Sequence, residues 1–147
     1  MKKPRFSLQT VLDLREKARE KAEDALAAAI RERDTAMARL LEAQARLEEL
    51  SRMISGERFP AYVREQGWNT LNAQRSLIRT FEARLAQEEK KVVEKRDLLI
   101  VADRDQKLVE KLKEKWLQSQ SLEQARIEEK QLEDFVTATR FLQTANP

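Results

Sequence analysis

The stretch Ile54-Ser-Gly-Glu-Arg-Phe-Pro-Ala-Tyr-Val-Arg-Glu-Gln-Gly-Trp68 gathers both glycines of the chain, Gly56 and Gly67, and its only proline away from the ends, Pro60. The other two prolines are Pro4 and Pro147. Glycine and proline are the strongest breakers of helical pattern, so their confinement to one window divides the chain into two long uninterrupted segments.

Before the window, Val11, Leu14, Ala18, Ala22, Ala25, Ala29, Ala36, Leu40, Ala43, Leu47, Leu50 and Ile54 recur at steps of three and four, with one step of seven. That spacing predicts one apolar stripe on a helix over about 7–54, with Ser7 as its N-cap. The stripe is mostly alanine in its first half and mostly leucine in its second. After the window, Leu71, Ile78, Phe81, Leu85, Val92, Leu99, Ala102, Val109, Leu112 and Trp116 repeat the pattern. Leu122, Ala125, Leu132, Phe135 and Leu142 continue it more loosely, predicting a second helix over about 68–143.

Neither helix can bury its stripe alone. A short interruption between two long amphipathic helices therefore predicts an all-α fold, a long antiparallel two-helix coiled-coil hairpin in a single domain. The quoted window is its turn, over about 55–67. Pro60 suits a first helical turn and Gly67 a left-handed C-cap, so a short separate helix over about 60–66 is expected within the turn. If Met53 faces Trp68, Leu8 falls opposite Lys113 or so, and about 30 residues of the second helix, on the order of 45 Å, extend without a partner. The arms are unequal. Trp116, where the first helix should end, is placed to cover the last layer of the coiled coil, and Trp68 and Tyr62 to close the other end.

Composition narrows the function. Of 147 residues 37% are charged and 5% aromatic. Mean hydropathy is -0.72. This is material for long helices rather than for a compact core. Cysteine and histidine are absent. No catalytic triad, histidine proton shuttle, thiolate metal site or disulfide can therefore be built, and the two glycines are too far apart for a phosphate loop. The expectation is a non-enzyme with no catalytic, cofactor or metal site. The longest apolar runs, Ala25–Ile30 and Leu98–Ala102, are far short of a bilayer span, which needs about 20 residues. The basic start is followed by charged residues where a signal peptide would be apolar, so a cytoplasmic protein is expected. Twenty-nine Lys and Arg oppose 26 Asp and Glu, interleaved along the chain, which reads as a solvated helix surface and not as a nucleic-acid site. Only the first 21 residues are lopsided: Lys2, Lys3, Arg5, Arg15, Lys17, Arg19 and Lys21 outnumber Asp13, Glu16 and Glu20.

The opening run Phe6, Leu8, Val11, Leu12, Leu14, Arg15 resembles the F-x-L-x-x-V-L-x-L-R start of the flagellar export protein FliJ family. The alanine-rich first helix, the break near residue 60 and the run Leu77–Leu85 at the head of a longer second helix are also similar. The resemblance implies a non-enzymatic coiled-coil stalk of the flagellar type III export apparatus. Such a stalk binds and activates the export ATPase hexamer and links it to the membrane export gate and to substrate chaperones. It would be cytoplasmic and peripherally associated with the inner membrane at the flagellar basal body, with no membrane insertion of its own. By position, the resemblance implies ATPase contacts at Arg5, Phe6, Leu8, Val11, Leu12, Arg15, Phe135 and Phe141. Leu77 and Phe81 would lie near the gate, and Phe59 and Tyr62, aromatics surplus to a simple turn, are candidate gate contacts beside them. Leu8, Leu12, Leu77 and Phe81 equally suit the hairpin core. An injectisome stalk homologue, a purely structural coiled-coil scaffold and a rotary ATPase stalk subunit remain alternatives.

Overall fold

A computed structural model of the protein describes residues 3–55 and 59–145. Two helices make up the fold: α1, Gln9–Ser55, and α2, Ala61–Ala145. They pack as an antiparallel hairpin with unequal arms. Gly56, expected in the turn, lies outside the described residues. Contacts divide the chain into two compact units, one from Lys17 to Asp103 and the other joining the residues up to Glu16 with those from Arg104 onward.

In the Lys17–Asp103 unit the antiparallel course is written in its pairings. Ile54 lies against Gly67, the Ala43 carbonyl accepts a 2.9 Å hydrogen bond from Gln74 Nε2, and Arg19 Nε stands 3.6 Å from Asp103 Oδ1. As the index falls along α1 it rises along α2. The core is Ala36, Leu40 and Ala43 against Ile78 and Leu85, with Leu47 and Phe81 packed on it. Leu71, Ile78, Leu85 and Val92 are buried at every seventh residue, the repeat that keeps one seam of a coiled coil facing its partner. From Ala22 onward the seam of α1 follows the expected stripe. Small alanines on α1 let the larger side chains of α2 sit close.

Gly67 departs from expectation. It does not end a short helix, because α2 runs unbroken from Ala61 through it, and no described glycine has a positive φ. Its use is steric. A Cβ at Gly67 would stand 3.2 Å from Ile54 Cδ1 and 3.3 Å from Ile54 Cγ1, so the missing side chain is what seats Ile54. Glycine inside a helix costs about 1 kcal/mol relative to alanine, an amount this close approach offsets. Pro60 does sit at the start, its carbonyl accepting from the Val63 and Arg64 amides at 3.0 and 3.1 Å.

In the other unit the end of the hairpin is closed by Phe6, Leu12 and Val109, with Trp116 packed on them. The Phe6 and Trp116 rings are 5.7 Å apart at 47°. Trp116 thus covers the last layer. The first turns correct two expectations. The helix begins at Gln9, with the Leu8 carbonyl accepting from the Leu12 amide at 2.9 Å, so Ser7 precedes the cap position. Leu12 is buried, whereas Val11 and Leu14 are 36% and 61% exposed. Phe6 enters just ahead of the helix and needs Leu12 beneath it, which turns Val11 and Leu14 outward. Past Trp116 the row of Val109 and Trp116 continues as Glu123 and Lys130, the row of Leu85 and Val92 reaches Gln120 and Ile127, and every described residue from Ser121 to Ala145 is exposed.

Candidate functional site

With no histidine or cysteine to build on, and no cluster of three or more metal-ligating side chains among the described residues, the functional candidates are surfaces. No described helix is long and apolar enough to cross a membrane.

Leu77 and Phe81 lie one turn apart on α2. They line a groove of about 420 Å³ with Arg39, Ala43, Arg46 and Gln74. Leu77 is 42% exposed; Phe81 is half-buried, one side on the core and the other in the groove. Phe81 also borders a second groove of about 710 Å³, where Arg31, Thr35, Arg39, Thr80, Arg84 and Glu88 contribute the polar lining. The Thr35 and Thr80 hydroxyls donate to their own helices, to the carbonyls of Arg31 and Ser76.

Glu88 is the residue sequence reasoning missed. It occupies the seam position one heptad beyond Phe81, between Leu85 and Val92, and is 1% exposed. Arg84 Nε at 3.0 Å and Lys91 Nζ at 3.6 Å balance its charge through Oε1. Neither carboxylate oxygen receives a well-aligned hydrogen bond. Burying a carboxylate this way is costly, because proximity of charge does not replace the donors lost from water. The available signal was a glutamate at a position where the seven-residue repeat calls for an apolar side chain.

At the turn, Phe59 and Tyr62 part company. Phe59 lines a groove of about 420 Å³ with Leu50, Met53, Ile54, Val63 and Gly67, while Tyr62 is 67% exposed outside it. Trp68, expected to close this end, is 56% exposed with the Arg75 guanidinium 6.0 Å above its ring. Phe59 and Val63, half-buried, line the groove there instead, together with Ile54.

The residues assigned to the ATPase end also divide. Phe6 and Leu12 are hairpin core and present no free surface. Arg15 Nη1 is 3.2 Å from Asp105 Oδ2, a pair joining the two helices. Leu8 and Val11, each 36% exposed, stand at the surface, as does Arg5. Phe135 and Phe141 are 69% and 72% exposed on the unpartnered arm. Leu14, more exposed than Leu8 or Val11, belongs with them and was missed because its spacing suits the core stripe.

The sequence matches a known family over nearly its whole length: the profile described as Flagellar FliJ protein matches residues 4–144. The chain belongs to the FliJ family. FliJ is a non-catalytic component of type III export, and the chain is accordingly a protein related to the type III export stalk. Among solved structures, a YscO homolog from Chlamydia trachomatis is similar at a TM-score of 0.53 and 14% identity, covering 99% of this chain and 100% of that one. At that identity the likeness is one of fold. No curated protein matches the chain.

Proposed function

We propose that this FliJ-family chain is the stalk that binds and activates the export ATPase hexamer and connects it to the export gate and substrate chaperones, in the cytoplasm at the inner-membrane base of the flagellum. The observation that supports this reading best is the α2 arm past Trp116, helical to Ala145 yet exposed at every described residue from Ser121 to Ala145. A helix with large apolar side chains and no intramolecular partner is built to be covered by another protein. Arg5, Leu8, Val11 and Leu14 would add contacts from the first turns. Leu77 and Phe81 would meet the gate from the groove rimmed by Arg39 and Arg46, with Phe59 and Tyr62 as further contacts.

The test is the ATPase rate of the cognate hexamer with and without the chain. Wild-type chain should stimulate it, and a chain ending after Lys130, or one carrying Phe135→Ser and Phe141→Ser, should not, at unchanged helicity of the remaining hairpin. A purely structural scaffold would leave the rate untouched in every case.

A further inference from the structure

The unit that closes the hairpin has a second apolar surface besides the free arm. The Arg15–Asp105 ion pair marks one flank where α1 and α2 meet. Val11, one turn before Arg15, and Leu108 and Leu112, one and two turns past Asp105, are exposed on that flank at 36%, 62% and 48%. The Phe6–Leu12–Val109 cluster points the other way, into the core. Basic residues border this flank: Arg104, Lys111 and Lys115 are exposed at helical spacing around Leu108. On the free arm the apolar residues Leu132, Phe135 and Val136 share a face with Glu128 and Glu129, one turn earlier, with Glu133 at its edge and Arg140 as the cation one turn past Val136, so that acids outnumber bases around it. A basic apolar flank and an acidic apolar helix thus occur in one unit, and each is uncovered.

The arm cannot reach the flank of its own chain, because α2 continues without a break from the flank residues through Trp116 to Ala145. We propose that the flank takes the acidic arm of a second copy of this chain, Leu132 and Phe135 packing against Leu108 and Leu112 while Glu128 and Glu129 meet Lys111 and Lys115. The self-association goes beyond the stalk reading and covers the same Phe135 face of the arm, so the ATPase and a second copy would exclude one another there; it is measured without any ATPase.

Sedimentation of the full-length chain at tens of micromolar should give a two-chain species, and the Lys111→Glu, Lys115→Glu chain a one-chain species of equal helicity. Adding Glu128→Lys and Glu129→Lys to that variant should restore the two-chain species, since attraction returns with reversed sign. A wild-type chain that stays monomeric, or a doubly reversed chain that fails to re-associate, overturns the proposal.

Discussion

Gly67 and Ile54 touch across the hairpin, with room between them for a hydrogen and little more: a methyl carbon on Gly67 would lie 3.2 Å from Ile54 Cδ1. Ile54 is in the last turn of α1 and half-buried, so it can yield by a few tenths of an ångström. Gly67→Ala should therefore leave the melting temperature nearly unchanged or slightly raised, the helix-propensity gain of about 1 kcal/mol offsetting the contact. Gly67→Phe should destabilise by about 1–3 kcal/mol through overpacking. A large loss already with alanine, seen by circular dichroism melts, would mean that Ile54 cannot yield and that the close approach demands glycine.

Glu88 should be a liability to stability. Replacing it with leucine removes a buried carboxylate that receives no well-aligned hydrogen bond and extends the Leu85–Val92 seam. Thermal or urea unfolding is expected to show a gain of about 1–4 kcal/mol. Arg84→Ala should act the other way, because it strips a charge partner from a carboxylate that stays buried. Should the leucine variant melt lower, Glu88 has donors the seam does not supply.

The Phe6–Trp116 layer should be measurable as a coupling. Single alanine substitutions at either ring are expected to destabilise, and the double-mutant cycle to give a coupling of about 1 kcal/mol. Hydrogen exchange of the Leu12 amide, bonded to the Leu8 carbonyl, should rise in step. Zero coupling would mean that the rings only lie side by side.

Arg15 has two candidate roles, and charge exchange separates them. Its pair with Asp105 is about half-exposed, so Arg15→Glu should cost at most about 1 kcal/mol and less at high salt. Combining it with Asp105→Arg should restore the hairpin. If ATPase stimulation also returns, Arg15 serves the hairpin; if it stays lost, Arg15 contacts the ring.

Much of this was legible in the sequence, and the exceptions share a physical cause. The turn, the two helices and the free arm follow from where glycine and proline fall and from where apolar spacing stops. The seam through the first turns did not follow, because Val11, Leu14 and Ala18 look more apolar than Leu12, Arg15 and Arg19. Arginine overrules the pattern: its aliphatic stem can lie along a seam while the guanidinium reaches Asp105 or Asp103 at the edge. Gly67 was misread because φ > 0 and close approach both select glycine, and only coordinates tell them apart. Of the candidate partner residues, Leu77 and Phe81 share a groove, Leu12 takes the core place that its spacing also suited, and Phe6 is spent on the core as well, since a motif gives residue types and not the side of the helix they face.

The alanines of α1 have one more consequence. Ala22, Ala29, Ala36 and Ala43 fall at every seventh residue, so sliding α1 by one heptad would set alanine where alanine had been. That row is degenerate: it draws the helices close but is blind to how far one has slid along the other. Within the Lys17–Asp103 unit, alignment has to be enforced by what does not repeat. Moving α1 seven residues one way would bring Leu47 against Gly67, and moving it the other way would leave Gly67 beyond the end of the helix. The contact of Ile54 with Gly67 acts as the end stop at one end of a ruler whose alanine row carries no marks, and the Arg19–Asp103 pair is the mark at the other.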